Sequence, residues 1–139
     1  ELGSLVETEL SLRARPGRLE TRIVETTYPA DPLRNNEFQR SPAWTGSAAI
    51  DWRPTDRWRL SAQVRHNTDY FSDDANTPSL RIAGTTVLDA RASYEQGRWS
   101  VFGFVRNAFD TFYLTELYSP TFGTAGDPSK FGFGVEARL

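Results

Sequence analysis

A chain of 139 residues is long enough for one domain with its own core and too short to expect two. Its 38% hydrophobic and 24% charged residues match an ordinary globular composition, and no run approaches the roughly eighteen apolar residues of a membrane-crossing helix, so any membrane role must be carried by strands. A net charge of −2 with scattered basic residues argues against a nucleic-acid partner, and the lack of cysteine excludes a disulfide framework and thiolate metal sites.

From the start, aromatic and β-branched residues alternate with polar ones in segments of about ten, the pattern of half-exposed strands. Glu1 is preceded by no initiator Met and followed by no signal-peptide pattern, so the chain is expected to be cut or processed from something longer. The first predicted strand covers residues 2–14 and closes on Arg15-Pro16-Gly17-Arg18. A second covers 19–28, and a loop rich in Pro, Asn and Arg fills 29–42.

The third predicted strand, 43–53, alternates cleanly, with Trp44, Gly46, Ala48, Ile50 and Trp52 against Thr45, Ser47, Asp51 and Arg53. After the turn Pro54-Thr55-Asp56 the fourth, 57–71, sets Trp58, Leu60, Ala62 and Val64 against Arg59, Ser61, Gln63 and Arg65. A loop at 72–84 leads to the fifth, 85–95, and the turn Gln96-Gly97-Arg98 to the sixth, 99–113. There Phe102 and Phe104 lie opposite Trp99, Val101 and Val105, so both faces are expected to be covered. A third loop, 114–129, precedes the seventh strand, where Phe131, Phe133, Val135, Ala137 and Leu139 share a face.

The connections sort themselves by length, with short turns after strands one, three and five and long loops after two, four and six. Outer-membrane barrels show this asymmetry of short periplasmic turns and long extracellular loops. Trp and Tyr belong at the two membrane–water interfaces. Trp52, Trp58, Tyr94 and Trp99 flank the short turns, while Trp44 and Tyr70 lie near the long loops. Eight residues separate Trp44 from Trp52, roughly 27 Å along a strand, which a tilt of about 40° reduces to roughly 20 Å of height, near the ~25 Å apolar band of such barrels.

The polar face carries Arg59, Gln63, Arg65, Asp89 and Arg91, which hydrocarbon would penalise, so it must meet water or polar protein. With periplasmic turns, strand seven descends and puts the C-terminus in the periplasm, while strand one starts on the outer side. An odd count of seven, where complete barrels are even, implies a part of a longer barrel. The competing expectation is a small soluble β-barrel or sandwich that binds an apolar ligand, with the Trp/Leu/Val face inside.

His66 is the single histidine and has no second ligand at metal-like spacing. Asp73-Asp74-Ala75-Asn76 offers calcium-type oxygens without the glycine and terminal glutamate of an EF-hand, and reads as a solvated loop. No nucleophile turn marks a catalytic set. Neither metal, cofactor nor enzymatic activity is expected.

The segment WSVFGFVRNAFDTFY at 99–113 has an aromatic start and a hydrophobic run, then Asn107, an apolar residue, Phe109, Asp110 and, three later, Tyr113. It resembles the penultimate strand of TonB-dependent outer-membrane receptors. GDPSKFGFGVEARL at 126–139 is similar to that family's final strand after a Gly/Pro loop, and GTTVLDARASY at 84–94 fits the strand before. Leu139 stands where such barrels usually end on an aromatic residue.

The resemblance implies that residues 1–139 are the C-terminal part of an antiparallel up-and-down transmembrane barrel of about 22 strands with a plugged lumen. It implies residence among the lipids of a Gram-negative outer membrane, and TonB-energised import of a scarce nutrient such as a ferric siderophore or cobalamin. TonB would be met through the part upstream. Within the motif, Asn107, Asp110 and Tyr113 are expected to be structural, since Asn and Asp bond locally where a strand meets a loop. Substrate contacts are expected from the long loops and upper lumen, at Tyr28, Arg34, Phe38, Arg40, Tyr118 and Phe122, where aromatics and arginines can grip a large anionic ligand.

Overall fold

The computed structural model describes residues 8–25 and 30–138. In chain order the strands are β1 (Glu9–Arg18), β2 (Trp44–Thr55), β3 (Trp58–Asn67), β4 (Tyr70–Phe71), β5 (Arg81–Ile82), β6 (Thr85–Gln96), β7 (Trp99–Arg106), β8 (Leu114–Ser119), β9 (Phe122–Ala125) and β10 (Lys130–Ala137). Six of them form one antiparallel sheet in the order β1-β2-β3-β6-β7-β10, so each long strand lies beside the next in sequence. The pairs β4-β5 and β8-β9 are small ribbons within the loops.

Because side chains alternate along a strand, register converts the sequence pattern into two faces. One row across the sheet runs Leu12, Ile50, Ala62, Ala90, Val105 and Phe131; its neighbour runs Ser11, Asp51, Ser61, Arg91, Phe104 and Gly132. The first face is apolar and uncovered: Phe131 and Phe133 are 88% exposed, Trp99 61% and Trp58 44%. Among the described residues only Ile82 and Val87 are buried hydrophobics, and the sheet is a single layer. A soluble sandwich or barrel would hide the Trp58–Leu60–Val64 surface; among the described residues no second sheet covers it.

Both short turns lie at one end of the sheet and the three long connections at the other. Thr55 closes the first turn, its hydroxyl accepting from the Trp58 amide at 3.2 Å beside a register shift between Trp52 and Thr55. Gly97 closes the second with a φ of 60°, the left-handed region where a β-carbon is costly.

The expected turn at residues 15–18 is not formed. β1 continues through it, with Pro16 opposite Gly46 and Gly17 opposite Thr45. Among the described residues β1 pairs with β2 alone. The expected second strand is absent over 19–25; its remainder, including Tyr28, lies outside the described residues. The sheet therefore has six strands where seven were expected, and β1 begins at the short-turn end, opposite Arg53. The loop sorting survives this change, whereas the odd strand count does not.

The fourth predicted strand stops at Asn67 and the sixth at Arg106, where Asn107 turns the backbone into left-handed geometry at φ 47°. β7 also resolves the two-faced pattern. Trp99, Val101 and Val105 join the apolar face, and Phe102 and Phe104 the polar one, opposite Gly134 and Gly132. A β-carbon on Gly134 would come within 2.6 Å of the Phe102 ring, and one on Gly132 within 2.8 Å of Phe104. The rings occupy the space that the two glycines leave.

Candidate capture loops and membrane-facing surface

The long connections are tied into one layer by their own polar groups. Asn36 donates through Nδ2 to the Asp74 carbonyl at 2.9 Å, and the Gln39 amide to Asp74 Oδ1 at 2.9 Å. The side chain of Asn76 accepts from the Glu37 amide at 2.7 Å and donates to the Glu37 carbonyl at 2.8 Å. Arg40 donates its amide to the Phe71 carbonyl at 2.8 Å. Asn35, Arg40 and Asn76 adopt left-handed φ values of 74°, 55° and 52°, a conformation that asparagine tolerates well. Asp73 accepts from the Thr77 amide and hydroxyl. The oxygens of 73–76 thus serve the loop fold, and no group of metal-binding side chains forms among the described residues.

Two of the expected capture residues, Arg40 and Tyr118, converge on Glu116, a residue the sequence pattern did not single out. Arg40 forms an ion pair with Glu116 Oε1, and Tyr118 donates its hydroxyl to Oε2 at 2.9 Å. The rings of Tyr118 and Phe122 lie 5.5 Å apart across the β8-β9 ribbon. The two-residue spacing of Glu116 and Tyr118 along β8 is the signal that reading 114–129 as plain loop passed over. Phe38 is exposed two residues before Arg40, its amide held by Thr21 Oγ1 at 3.1 Å. Arg34 sits in the turn that Asp31 starts, and joins the Glu116 cluster through no ion pair or hydrogen bond. The cluster offers a cation, a carboxylate and two exposed aromatic rings on one surface.

Tyr70 stands apart from the exposed aromatic rows. It lies in the β4-β5 ribbon, half-buried, and donates its hydroxyl to the Thr115 carbonyl at 3.0 Å. Burial pushes its phenol above the ordinary value, with the Arg40 charge acting against that. Ser72 adds a second tie, accepting from the Leu117 amide at 3.0 Å.

On the apolar face, Trp52, Trp58, Tyr94 and Trp99 mark the short-turn end and Trp44 the loop end, where the Arg18 guanidinium lies 5.5 Å from its ring centre. His66 shares this face and bonds Thr86 Oγ1 at 2.8 Å. The polar face is crossed by ion pairs: Arg53 with Glu9 at 3.1 Å, Arg65 with Asp89 at 2.8 Å, Arg13 with Asp51, and Arg91 with Glu136 at 3.7 Å. A concavity of about 380 Å³ lies there between Arg13, Gln63, Arg91 and Arg106. One face suits hydrocarbon and the other suits water or a polar filling.

The sequence profile described as TonB dependent receptor-like, beta-barrel matches residues 7–108, well over half of the chain. The chain belongs to the TonB-dependent receptor β-barrel family. Solved structures of similar fold include the siderophore receptor PiuA from Acinetobacter baumannii, at a TM-score of 0.80 and 15% identity over 92% of this chain and 19% of that one. The unliganded ferric citrate transporter FecA gives 0.76 and 23% over 91% of this chain and 21% of that one. BauA, the ferric preacinetobactin receptor from Acinetobacter baumannii, gives 0.70 and 16% over 89% and 19%. The chain thus spans about a fifth of the length of these barrel proteins.

In this TonB-dependent receptor barrel segment, the matched region ends just past Asn107, so Asp110 and Tyr113 are described by geometry alone. Asn107 is 3% exposed. Its Nδ2 donates to the carbonyls of Thr111 and Asp127, both at 3.0 Å, and its Oδ1 accepts from the Thr111 amide at 2.9 Å. Its own amide donates to Asp89 Oδ1 at 2.9 Å. Asp110, at φ 48°, accepts from the Ser129 amide at 2.8 Å. Tyr113 lies against Gly126, which also donates its amide to the Tyr113 carbonyl at 2.8 Å. Together they close the third long loop and bring β10 beside β7. Lys130, the first residue of β10, bonds Asp127 at 2.8 Å and holds that carboxyl below its usual range.

Proposed function

We propose that this chain is the C-terminal wall segment of a TonB-dependent receptor in a Gram-negative outer membrane, importing a scarce nutrient such as a ferric siderophore or cobalamin. The observation that carries this reading is the uncovered apolar face, bounded by aromatic rows and backed by a face of ion pairs. Burying apolar area is worth roughly 25 cal/mol per Å², so a sheet leaving this face in water would forgo its largest stabilising term. Lipid tails supply the missing layer. The C-terminus then lies in the periplasm, and TonB is met through other parts of the receptor.

The family membership supports transport rather than catalysis. The named functions of PiuA, FecA and BauA, all concerned with siderophores or ferric chelates, favour an iron chelate as cargo. Arg40, Tyr118 and Phe122 around Glu116 would meet such an anionic ligand at the loop end, with Phe38, Arg34 and Tyr28 as further contacts. The test is to express the full-length protein, fractionate the membranes and measure uptake of radiolabelled ferric chelates with and without TonB. Outer-membrane residence with TonB-dependent uptake is expected; a monomer that folds cooperatively in detergent-free buffer would contradict the reading.

A further inference from the structure

Both short turns end on the same dipeptide, an arginine followed by the tryptophan that opens the next strand: Arg57-Trp58 and Arg98-Trp99. Both tryptophans stand exposed on the apolar face. Trp58 pairs with Tyr94 and Tyr94 with Val101, so the two steps lie two strands apart, roughly 10 Å across the sheet, with Trp99 two residues further along it. Arg57 turns toward the apolar side, donating through Nη1 to the Tyr94 hydroxyl at 3.3 Å, while the Tyr94 ring lies 5.1 Å from that of Trp58.

Carboxylates are close to both arginines in sequence or in register: Asp56 precedes Arg57, and Glu95 donates its amide to the Arg57 carbonyl. Glu95 is taken by Arg138 and Glu9 by Arg53. Among the described residues, neither Arg57 nor Arg98 has a carboxylate within ion-pairing distance. Each step therefore joins a cation that has no acidic partner among the described residues to an amphipathic ring, at the border of the exposed apolar face.

A guanidinium offers a planar fork of donors that matches phosphate oxygens, and it is more weakly hydrated than an ammonium. Its stem can lie along apolar surface while the head stays at the polar boundary, where tryptophan also prefers to sit. From this we infer that the two Arg-Trp steps hold the headgroup phosphates of anionic phospholipids in the leaflet that borders the short turns. The inference rests on the membrane reading above. The adjoining tryptophans favour a lipid over a free anion, because they meet the part of the lipid just below its phosphate.

The full-length protein in neutral maltoside micelles, titrated with short-chain phosphatidylglycerol, short-chain phosphatidylcholine or inorganic phosphate and read by native mass spectrometry, tests this. Phosphatidylglycerol is expected to bind more tightly than phosphatidylcholine. The loss should be about fivefold for Arg57→Gln or Arg98→Gln and about 30-fold for both, the scale of one cationic side chain at an anionic surface; Arg→Lys variants should recover part of it. A double Gln variant that keeps the β-sheet circular dichroism of the parent and binds phosphatidylglycerol equally well would overturn the inference. So would displacement of the lipid by equimolar inorganic phosphate, which would mark a free-anion site. A protein that stays outside the micelles would instead overturn the membrane reading beneath it.

Discussion

The ring of Phe104 lies over Gly132 on the neighbouring strand, so close that a β-carbon there would come within 2.8 Å of it; Phe102 stands in the same relation to Gly134 at 2.6 Å. Two large rings on an otherwise polar face are thereby fitted to two residues without side chains. The Arg91 guanidinium lies 3.7 Å from the Phe102 ring centre, which adds a cation–π contact to the same joint. A one-residue slip of β10 would put Phe131 or Phe133 on the polar face, against these rings. Gly132→Val and Gly134→Val are each expected to destabilise the sheet by about 1–3 kcal/mol through overpacking, measured by urea unfolding in micelles; Phe104→Ala should relieve the Gly132→Val defect.

Asn107 is almost fully enclosed, and its side chain makes three hydrogen bonds. Asn107→Ala would leave the Thr111 amide and two carbonyls without that partner and place a less tolerant residue at φ 47°. The expected cost is about 2–4 kcal/mol, seen as a lower unfolding midpoint, with Asn107→Asp no milder because its second oxygen would face the two carbonyls that Nδ2 now serves.

Arg40 and Glu116 are paired at the surface of the loop layer, with the arginine side chain 57% exposed. Surface pairs contribute roughly 0–1 kcal/mol, so Arg40→Ala should barely change global stability. Binding of an anionic ferric chelate should nevertheless weaken by about tenfold, the loss of one charge-assisted hydrogen bond. Isothermal titration against the full-length protein checks both halves. Unchanged affinity would remove Arg40 from the capture site.

Tyr70 supplies the pH dependence. Its phenol is raised above 10.0 by burial, so the fold favours the protonated form. That contribution is fully present below the ordinary phenol value and is lost as pH rises through the higher folded one. Subtracting the 295 nm titration of Tyr70→Phe from that of the parent should reveal one phenol that ionises later than the rest, and loop hydrogen exchange should accelerate as it does so.

Much of the sheet was legible because alternation has only one solution once a strand pairs in register: Ile50, Ala62 and Ala90 fall in one row, as their period of two requires. Pro16-Gly17 misled because the pair has the chemistry of a turn, whereas β1 carries it in register opposite Gly46 and Thr45. Phe102 and Phe104 looked two-sided because their partners are glycines on a strand some thirty residues away, an effect no local pattern contains. At the loop end Arg40, Tyr118 and Phe122 were nameable from residue type. Glu116, which gathers Arg40 and Tyr118, was not, because its role depends on a contact between two separate loops.

This chain contains no cysteine, so once any cysteine elsewhere in the receptor has been replaced, a cysteine introduced here carries a single nitroxide label. The most direct test puts them along β3 of the full-length protein in bilayers, at Leu60, Ser61, Ala62, Gln63 and Val64, and compares collision with oxygen dissolved in the lipid against a water-soluble nickel complex. Labels at 60, 62 and 64 should meet oxygen and exclude nickel, and labels at 61 and 63 should show lower exposure to oxygen. Labels at 60, 62 and 64 shielded from lipid oxygen, or the opposite alternation, would contradict the account.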